Sequence, residues 1–253
     1  MFALNRYFQH VSDDTVIWRY MPYERLLSIL ETESIFFAKV TTYEDDLFEG
    51  SYNKASTDHY TQWLQANEAE LTETSTADDQ RIENSLWLAE KMKNLVLVNC
   101  WHMNDYESVA MWKLYSNYEN GVAIRTTFGR LKKSLEGYSK LIHGGAVQYI
   151  DIKQHRISFT NTLAPYTFKR LSFAYERELR LTTQVEPEKG FDYDWSTEEF
   201  INGKLIPCDI KLLFHAVFVS PKYSEEFKSQ VQDALVRKGI NIEVEKSDLN
   251  NIY

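Results

Sequence analysis

The stretch "FAYERELRLTTQV" (Phe173–Val185) combines a strand-like ending with a dense run of charge. Glu176, Glu178 and Arg180 occupy every second position, and apolar Leu179 falls between the last two. Because alternate side chains of a strand point to the same face, the sequence predicts that these three charges share one face. That face is either solvated, with cross-strand pairing to basic residues, or it lines a site. Two neighbouring carboxylates repel each other, so in a site one of them can act as a base, with Arg180 keeping the pair oriented.

The composition is that of an ordinary globular protein, with 253 residues, of which 43% are hydrophobic and 26% charged. The net charge of -9 disfavours general binding to nucleic acids or membranes, which requires clustered Lys and Arg. The N-terminus lacks the cationic start and apolar run of a signal peptide, and nothing approaches the roughly 20 apolar residues of a membrane span. We therefore expect a cytoplasmic protein with no membrane partner. Cys100 and Cys208 offer too few ligands for zinc, so we expect free thiols and no metal.

Hydrophobic periodicity predicts strands and helices in irregular alternation. Strands are predicted at Thr15–Met21, Ser34–Val40, Asn94–Trp101, Asn120–Phe128, Gly145–Ile152, Phe173–Val185 and Ile240–Ser247, with one or two more in Leu205–Pro221. Helices are predicted at Tyr23–Thr32, Glu107–Ser116, Gly129–Tyr138 and Ser224–Gly239, and at about 157–174. This mixture favours an α+β fold with mixed, mostly antiparallel sheets and flanking helices over a doubly wound sheet. We expect a single domain, 1–253, with a helical insertion at about 54–93 that is interrupted by the polar loop "TETSTADDQ".

Two further segments place polar residues at strand ends. In "IWRYMPYERLL", Arg19 and Tyr20 close an apolar strand. They are either an exposed strand end or a cation that recognises phosphate or carboxylate, with an aromatic ring beside it.

The densest segment is "NCWHMNDYESVAMWKLYSNYENGVAIRTTF". Trp112 and Tyr115 are either core residues or rings that contact a ligand. Thr126 and Thr127 directly follow a buried-looking "VAI" and are candidates for a site at a strand end.

These segments together resemble the prokaryotic family catalogued as domain of unknown function 2971. The resemblance is carried by "WRYMPYERLLSILETESIFFAKVTTYEDDLFEG", "CWHMNDYESVAMWKLYSNYENGVAIRTTF" and "YERELRL", and it covers roughly residues 17–50 and 98–182. The family pattern has Asp-Pro before Phe-Glu, whereas this chain has "DDLFE" (Asp45–Glu49), which keeps the glutamate and lacks the proline. The family label itself supplies no chemistry.

A second resemblance does imply chemistry. An Arg on an early strand, a Ser/Thr-rich strand and a later Glu-x-Glu strand are similar to the Arg–Ser–Glu pattern of ADP-ribosyltransferases. The resemblance implies an ADP-ribosyltransferase-like fold and an enzyme of the glycosyltransferase class that uses NAD as substrate. It assigns Glu178 and Glu176 as catalytic residues, and NAD binding to Arg19, Tyr20, Thr126, Thr127, Tyr115 and Trp112. The chain departs from the pattern in having Arg125-Thr126-Thr127 in place of Ser-Thr-Ser.

The leading hypothesis is therefore an ADP-ribosyltransferase-like enzyme that modifies a macromolecular acceptor, a protein or a nucleic acid. Resemblance to bacterial enzymes of this type implies a toxin or phage-defence effector, with an antitoxin or inhibitor protein as a partner. One alternative is a non-catalytic module that binds a nucleotide or a protein. A further alternative is a metal-dependent nuclease that uses Asp45, Asp46 and Glu49.

Overall fold

The computed structural model describes residues 2–3, 6–43, 46, 48–67, 75–116, 118–185 and 202–250. Within these ranges helices and strands alternate irregularly. The strands are β1 (Phe2–Ala3), β2 (Val16–Pro22), β3 (Ser34–Lys39), β4 (Val96–Met103), β5 (Gly121–Thr127), β6 (Ile142–Ala146), β7 (Gln148–Ile150), β8 (Phe168–Arg170), β9 (Glu178–Gln184), β10 (Gly203–Pro207), β11 (Ala216–Val219) and β12 (Val244–Lys246). The helices are α1 (Tyr23–Thr32), α2 (Lys54–Ala66), α3 (Ser75–Met92), α4 (Val109–Tyr115), α5 (Phe128–Ser134), α6 (Ile210–Leu213) and α7 (Glu225–Arg237).

One large sheet organises the described part of the chain. Its main path runs β1-β6-β9-β4-β2-β5-β11-β12, and β3 joins it by pairing with both β4 and β10. The pairings are antiparallel except at the two edges, where β1 lies parallel to β6 and β12 parallel to β11. The short strands β7 and β8 form a separate parallel pair. The prediction of an α+β fold with a mostly antiparallel sheet and flanking helices is confirmed.

The two faces of the sheet carry different cores because side chains alternate along each strand. Ile17 and Met21 of β2 pack with Leu179 and Leu181 of β9 on the first face, where α1, α5 and α7 also pack. Trp18 and Tyr20, on the opposite face, pack with Met111 and Trp112 of α4 and with Phe218. The charged residues Glu178 and Arg180 alternate with the leucines of β9 and so share the second face. This confirms the alternation that the sequence predicts for that strand.

Local sequence explains the bounds of α1, which the sequence predicts to the residue. Pro22 precedes the helix in an extended conformation, with φ at -61°, and Glu33 ends it in the left-handed region, with φ at 47°. Proline suits a helix start because it has no backbone N–H to leave unpaired. Leu26 and Leu30 then lie one turn apart on the buried side of the helix.

The helix predicted at about 157–174 is wrong. That segment contains a 3₁₀ turn at Ala164–Thr167, strand β8, and a second 3₁₀ turn at Leu171–Glu176. Pro165 removes a backbone donor and restricts the residue before it, so a continuous α-helix cannot pass through this position. The strand predicted from Phe173 likewise begins only at Glu178, because Arg177 turns the chain with φ at 42°.

Two other predictions change in their details. The strand predicted at Gly145–Ile152 is split into β6 and β7. The predicted polar loop "TETSTADDQ" is helical from Ser75 onward, and its first three residues lie outside the described ranges.

The close approach of the N-terminal segment to β6 gives a test of the fold. A Cβ at Gly145 would lie 2.7 Å from the backbone oxygen of Gln9 and 2.7 Å from Cβ of Phe8. The Gln9 oxygen takes part in the backbone hydrogen bonds between Gln9 and Ala146, and Phe8 directly precedes Gln9. We expect Gly145→Ala to lower the free energy of unfolding by about 1–3 kcal/mol, measured by urea denaturation. Gly137→Ala is the control, because a Cβ there meets nothing within 4 Å, and equal stability of the two variants would contradict this packing.

Candidate functional site

The candidate site lies at a fork in the sheet, the place where β2 and β3 diverge along one edge of β4. One edge of β4 pairs with β2 only at Ile17–Met103 and Trp18–His102, and with β3 only at Ala38–Val98 and Lys39–Leu97. Residues 99–101 of β4 lie between these two contacts, where β2 and β3 diverge. The side-chain amide of Asn99 donates to the backbone oxygen of Phe36 over 2.9 Å and bridges β4 to β3. The sheet therefore opens without leaving the Phe36 carbonyl unpaired.

A cavity of about 480 Å³ occupies this fork. Its wall includes acidic, basic and aromatic side chains from both sides of the fork and from the segment that precedes β9. The lining residues used below are Arg19, Tyr20, Arg25, Tyr43, Glu49, Cys100, His102, Tyr115, Lys169, Glu176 and Glu178. Five of the eight residues predicted for the site are in this set, and they come from three separate parts of the sequence.

The first part of the site is a buried ion cluster centred on Arg180, whose side chain is 1% exposed. Its Nε donates to Oε1 of Glu178 over 2.5 Å, and its Nη2 donates to Oε2 of the same carboxylate over 3.2 Å. Its Nη1 donates to Glu49 and, over 2.9 Å, to the backbone oxygen of Tyr166. One guanidinium thus fixes two buried carboxylates from distant segments, in the bidentate geometry that suits arginine.

Lys169 extends this cluster to Glu176. Its ammonium donates to Oε2 of Glu176 and, over 3.2 Å, to Oε2 of Glu178. The hydroxyl of Tyr115 donates to the other Glu176 oxygen over 2.7 Å. Glu176 precedes β9 and Glu178 begins it, yet both carboxylates meet on one ammonium. The face that the sequence leaves as either solvated or part of a site is therefore buried beside a cavity.

The charged groups of this cluster shift one another's pKa values in different directions. Burial opposes the charge of Glu178, but Arg180 and Lys169 outweigh it and hold the pKa of that carboxyl well below its usual range. Burial, together with the charge of Glu178, raises the pKa of Glu49 despite its contact with Arg180. Burial alone would lower the pKa of Lys169, whereas Glu178, Glu49 and Glu176 raise it above its ordinary value. Glu178 is consequently held as an anion at neutral pH more firmly than Glu49.

Arg19 lies on the other side of the fork. Its Nη2 donates to the backbone oxygen of Phe36 over 3.4 Å, and its guanidinium carbon lies 5.6 Å from the centre of the Trp101 ring. Its Nη1 is buried and has no hydrogen-bond partner among the described residues. The contact with Trp101 fixes the guanidinium while one N–H group remains available.

The two other predicted ring residues differ in position. Tyr20 lines the cavity, and its hydroxyl accepts a hydrogen bond from the backbone N–H of Ser108 over 2.9 Å. Trp112 is fully buried, and its indole N–H donates to Glu107 over 2.8 Å. Trp112 packs edge-on against Tyr20, with ring centroids 4.9 Å apart. It therefore supports the wall from behind and does not itself face the cavity.

Thr126 and Thr127 do not line the cavity. They pair with Ile17 and Val16, and β2 separates their strand from β4 and the fork. Thr126 is fully buried, and the Thr127 hydroxyl accepts a hydrogen bond from the backbone N–H of Arg130 at the start of α5. The helix cap accounts for the polar character of Thr127, whereas the buried hydroxyl of Thr126 has no hydrogen-bond partner among the described residues. In this position neither threonine borders the cavity at the fork.

Lys169 was not predicted from the sequence, and no role was predicted for His102. Lys169 lies in the segment wrongly predicted as a helix, and nothing in the sequence pairs it with carboxylates seven and nine residues later. A sequence signal for His102 does exist, because it is a titratable residue in "CWH" near the end of the apolar strand "NLVLVNCW". Cross-strand pairing sets His102 directly opposite Glu178.

The residues predicted for a nuclease are engaged in ion pairs where they are described. Asp46 pairs with Arg170 at 2.8 Å, and Glu49 pairs with Arg180. Asp45 lies outside the described residues. In the part of the chain that is described, no group of three or more His, Cys, Asp and Glu side chains is placed to hold a metal ion. The described geometry gives the nuclease alternative no support.

The ion cluster predicts a large dependence of stability on Arg180. We expect Arg180→Met to lower the free energy of unfolding by about 3–5 kcal/mol, because it removes the cation that Glu49 contacts and leaves buried Glu178 with Lys169 alone. The measurement is chemical denaturation at neutral pH. Lys54→Met is the control, since the Lys54–Asp58 pair lies on the surface with the lysine side chain 85% exposed, and it should change stability by no more than about 1 kcal/mol.

A triple variant separates charge from packing. Arg180→Met combined with Glu178→Gln and Glu49→Gln removes the cation and both anions, so it should be more stable than Arg180→Met alone. A single variant as stable as the wild type would contradict the central position of Arg180.

Comparison with known proteins supports part of the sequence resemblance. Residues 111–181 match the model of a family described as "Protein of unknown function (DUF2971)". No curated protein matches the chain. Among solved structures, "Thermus sp. 2.9 DarT in complex with ADP-ribosylated ssDNA" is similar with a TM-score of 0.41 and 9% identity, over 95% of this chain and 96% of that chain. Among the described residues, no helix is both long and apolar enough to cross a membrane. The resemblance to the DUF2971 family is therefore confirmed over residues 111–181, the segment that runs from α4 into β9.

Proposed function

We propose that the protein is an NAD-dependent ADP-ribosyltransferase-like enzyme that modifies a macromolecular acceptor. The observation that carries the proposal is the cavity at the fork, which gathers Arg19, Glu176 and Glu178 from distant parts of the sequence. The sequence resemblance assigns the same three residues to NAD binding and catalysis. The proposal omits Thr126 and Thr127 as direct ligands, because β2 lies between them and the fork.

The residues around the cavity suit a dinucleotide. Arg19 and Arg25 line it and supply positive charge for a diphosphate, and the buried Nη1 of Arg19 lacks a partner among the described residues. Tyr20, Tyr43 and Tyr115 supply ring faces or edges for planar bases. The volume of about 480 Å³ lies within the range of small-molecule sites. The fit therefore rests on charge, aromatic character and size together.

The carboxylates suit the chemistry of transfer. The bond between the nicotinamide nitrogen and the ribose carbon breaks, and its electron pair leaves with nicotinamide. Positive charge develops on the ribose, and Glu178, held as an anion, stabilises it. A nucleophilic oxygen or nitrogen of the acceptor bonds to the ribose carbon, and its proton passes to a base. Glu176, which Tyr115 and Lys169 orient, is our candidate for that base.

The biological setting follows from the resemblance and is part of the proposal. The acceptor is a protein or a nucleic acid, and the enzyme acts in the cytoplasm as a toxin or a phage-defence effector. An antitoxin or inhibitor protein is the corresponding partner.

One observation favours a binding module without catalysis. Both oxygens of Glu178 already accept hydrogen bonds from Arg180 or Lys169, so a ligand has to share a carboxylate that is already satisfied. A site of this kind can hold NAD through Arg19 and the tyrosines and perform no chemistry. Turnover distinguishes the two functions.

The main test is transfer of label from NAD that carries isotope in its adenosine diphosphate ribose part. We expect purified wild-type protein to label an acceptor in a bacterial extract and to release nicotinamide. Glu178→Gln should lower the rate at least about 100-fold, because it removes the charge that stabilises the ribosyl cation while nearly preserving shape. Labelled product is measured after electrophoresis, with and without nuclease or protease treatment to show the class of acceptor.

Glu136→Gln is the matched control, since Glu136 is exposed and does not line the cavity. It should keep wild-type activity. Folded wild-type protein that binds NAD but neither transfers label nor releases nicotinamide would favour the binding module. Folded protein that does not bind NAD would reject both functions for this ligand.

A further inference from the structure

His102 is a buried side chain at the cavity to which neither resemblance gives a role. It is 6% exposed, and it lines the cavity beside Tyr20, with the two ring centroids 6.3 Å apart. On β4 it lies directly between its cross-strand neighbours Trp18 and Glu178. The imidazole is therefore fixed on the same face of the sheet as the carboxylate assigned to catalysis.

One hydrogen bond determines which nitrogen of His102 carries the proton. Nδ1 lies 2.6 Å from the backbone oxygen of Glu176. A carbonyl oxygen can only accept, so Nδ1 must donate and carries the hydrogen. In the neutral imidazole, Nε2 then has a free lone pair and is an acceptor.

That acceptor has no partner within the described part of the chain. Nε2 of His102 is buried and makes no hydrogen bond there. A buried polar atom without a partner costs free energy, so its persistence beside a cavity points to a ligand that completes it. The neighbouring hydroxyl of Tyr20, which accepts from the backbone N–H of Ser108 and has its own O–H to donate, makes no hydrogen bond to Nε2 either.

We propose that Nε2 of His102 accepts a hydrogen bond from the carboxamide N–H of the nicotinamide group and so selects NAD over analogues that lack this donor. The inference rests on the proposed function and names the part of the substrate that this wall recognises. His102 bonds to the backbone of Glu176 and pairs with Glu178, so it lies at the end of the cavity where the proposed function puts the reacting bond. The carboxamide is the N–H donor of NAD nearest that bond. In this arrangement Glu178, and not His102, accepts hydrogen bonds from the ribose hydroxyls.

The charge state of His102 agrees with this role. Burial, together with the charge of Arg177, lowers the pKa of His102, against the hydrogen bond to Glu176, which raises it. Glu176, Glu178 and Lys169 also line the cavity around it. A neutral ring keeps its acceptor at physiological pH, whereas an imidazolium would repel an N–H donor.

Two variants isolate the acceptor atom. His102→Asn places an amide nitrogen near the position of Nδ1, which keeps the bond to Glu176, but puts no atom at the position of Nε2. His102→Gln reaches the position of Nε2 and can present an accepting oxygen there. Each variant, the wild type and the exposed control His215→Asn are titrated by calorimetry with NAD and with nicotinic acid adenine dinucleotide, in which a carboxylate replaces the carboxamide.

We expect the wild type and His215→Asn to bind NAD at least about tenfold more tightly than the acid analogue. His102→Asn should lower the ratio of the two affinities about tenfold, chiefly by weakening the binding of NAD. His102→Gln should retain the larger part of this ratio. An unchanged ratio in His102→Asn that still binds NAD would overturn this inference and leave the proposed function standing. Tighter binding of the acid analogue by the wild type would also overturn it. Folded wild type that binds neither dinucleotide would reject the inference together with the proposed function.

Discussion

The buried guanidinium of Arg180 is the constraint on which the rest of the site depends. It lies on β9 and reaches Glu178 of the same strand, Glu49 of the segment after β3, and the backbone oxygen of Tyr166. Three segments therefore converge on one side chain, and Glu49 lies 131 residues before it in the sequence. A buried ion pair contributes little net stability, but removing one member leaves an unpaired charge and costs several kcal/mol. The cluster thus enforces one arrangement of the cavity wall more than it stabilises the protein.

The charges of the cluster also set its chemistry. The carboxylates of Glu49, Glu176 and Glu178 face the two cations Arg180 and Lys169. The pKa of Glu178 is lowered by Arg180 and Lys169, whereas burial raises the pKa of Glu49. Glu178 keeps its charge because it contacts both cations. A fixed anion beside the cavity can stabilise a developing cation without reorganising, as the ribosyl transfer proposed above requires.

Sequence patterns predicted the elements of this fold well where the local signal and the tertiary environment agree. Pro22 and the apolar spacing of Leu26 and Leu30 define α1 correctly, and the alternation in β9 correctly separates its charged face from its leucines. Hydrophobic periodicity predicted a helix at about 157–174, and this was wrong. The apolar residues of this segment lie in short 3₁₀ turns and not along one face of a helix. Lys169 was missed for the same reason, because only the tertiary fold brings its ammonium to Glu176 and Glu178.

The fork explains why five of the residues predicted for the site line the cavity and the other three do not. A strand-end argument treats Arg19 and Thr127 alike, since both are polar residues at or near the end of an apolar run. The difference arises from sheet order. Arg19 lies where β2 leaves β4, so its side chain borders the opening, whereas Thr127 lies on the far side of β2 and caps α5. Strand order depends on long-range pairing, which no local pattern encodes. In this fold the opening between β2 and β3, and not the polar character of a strand end, determines which residues line the cavity.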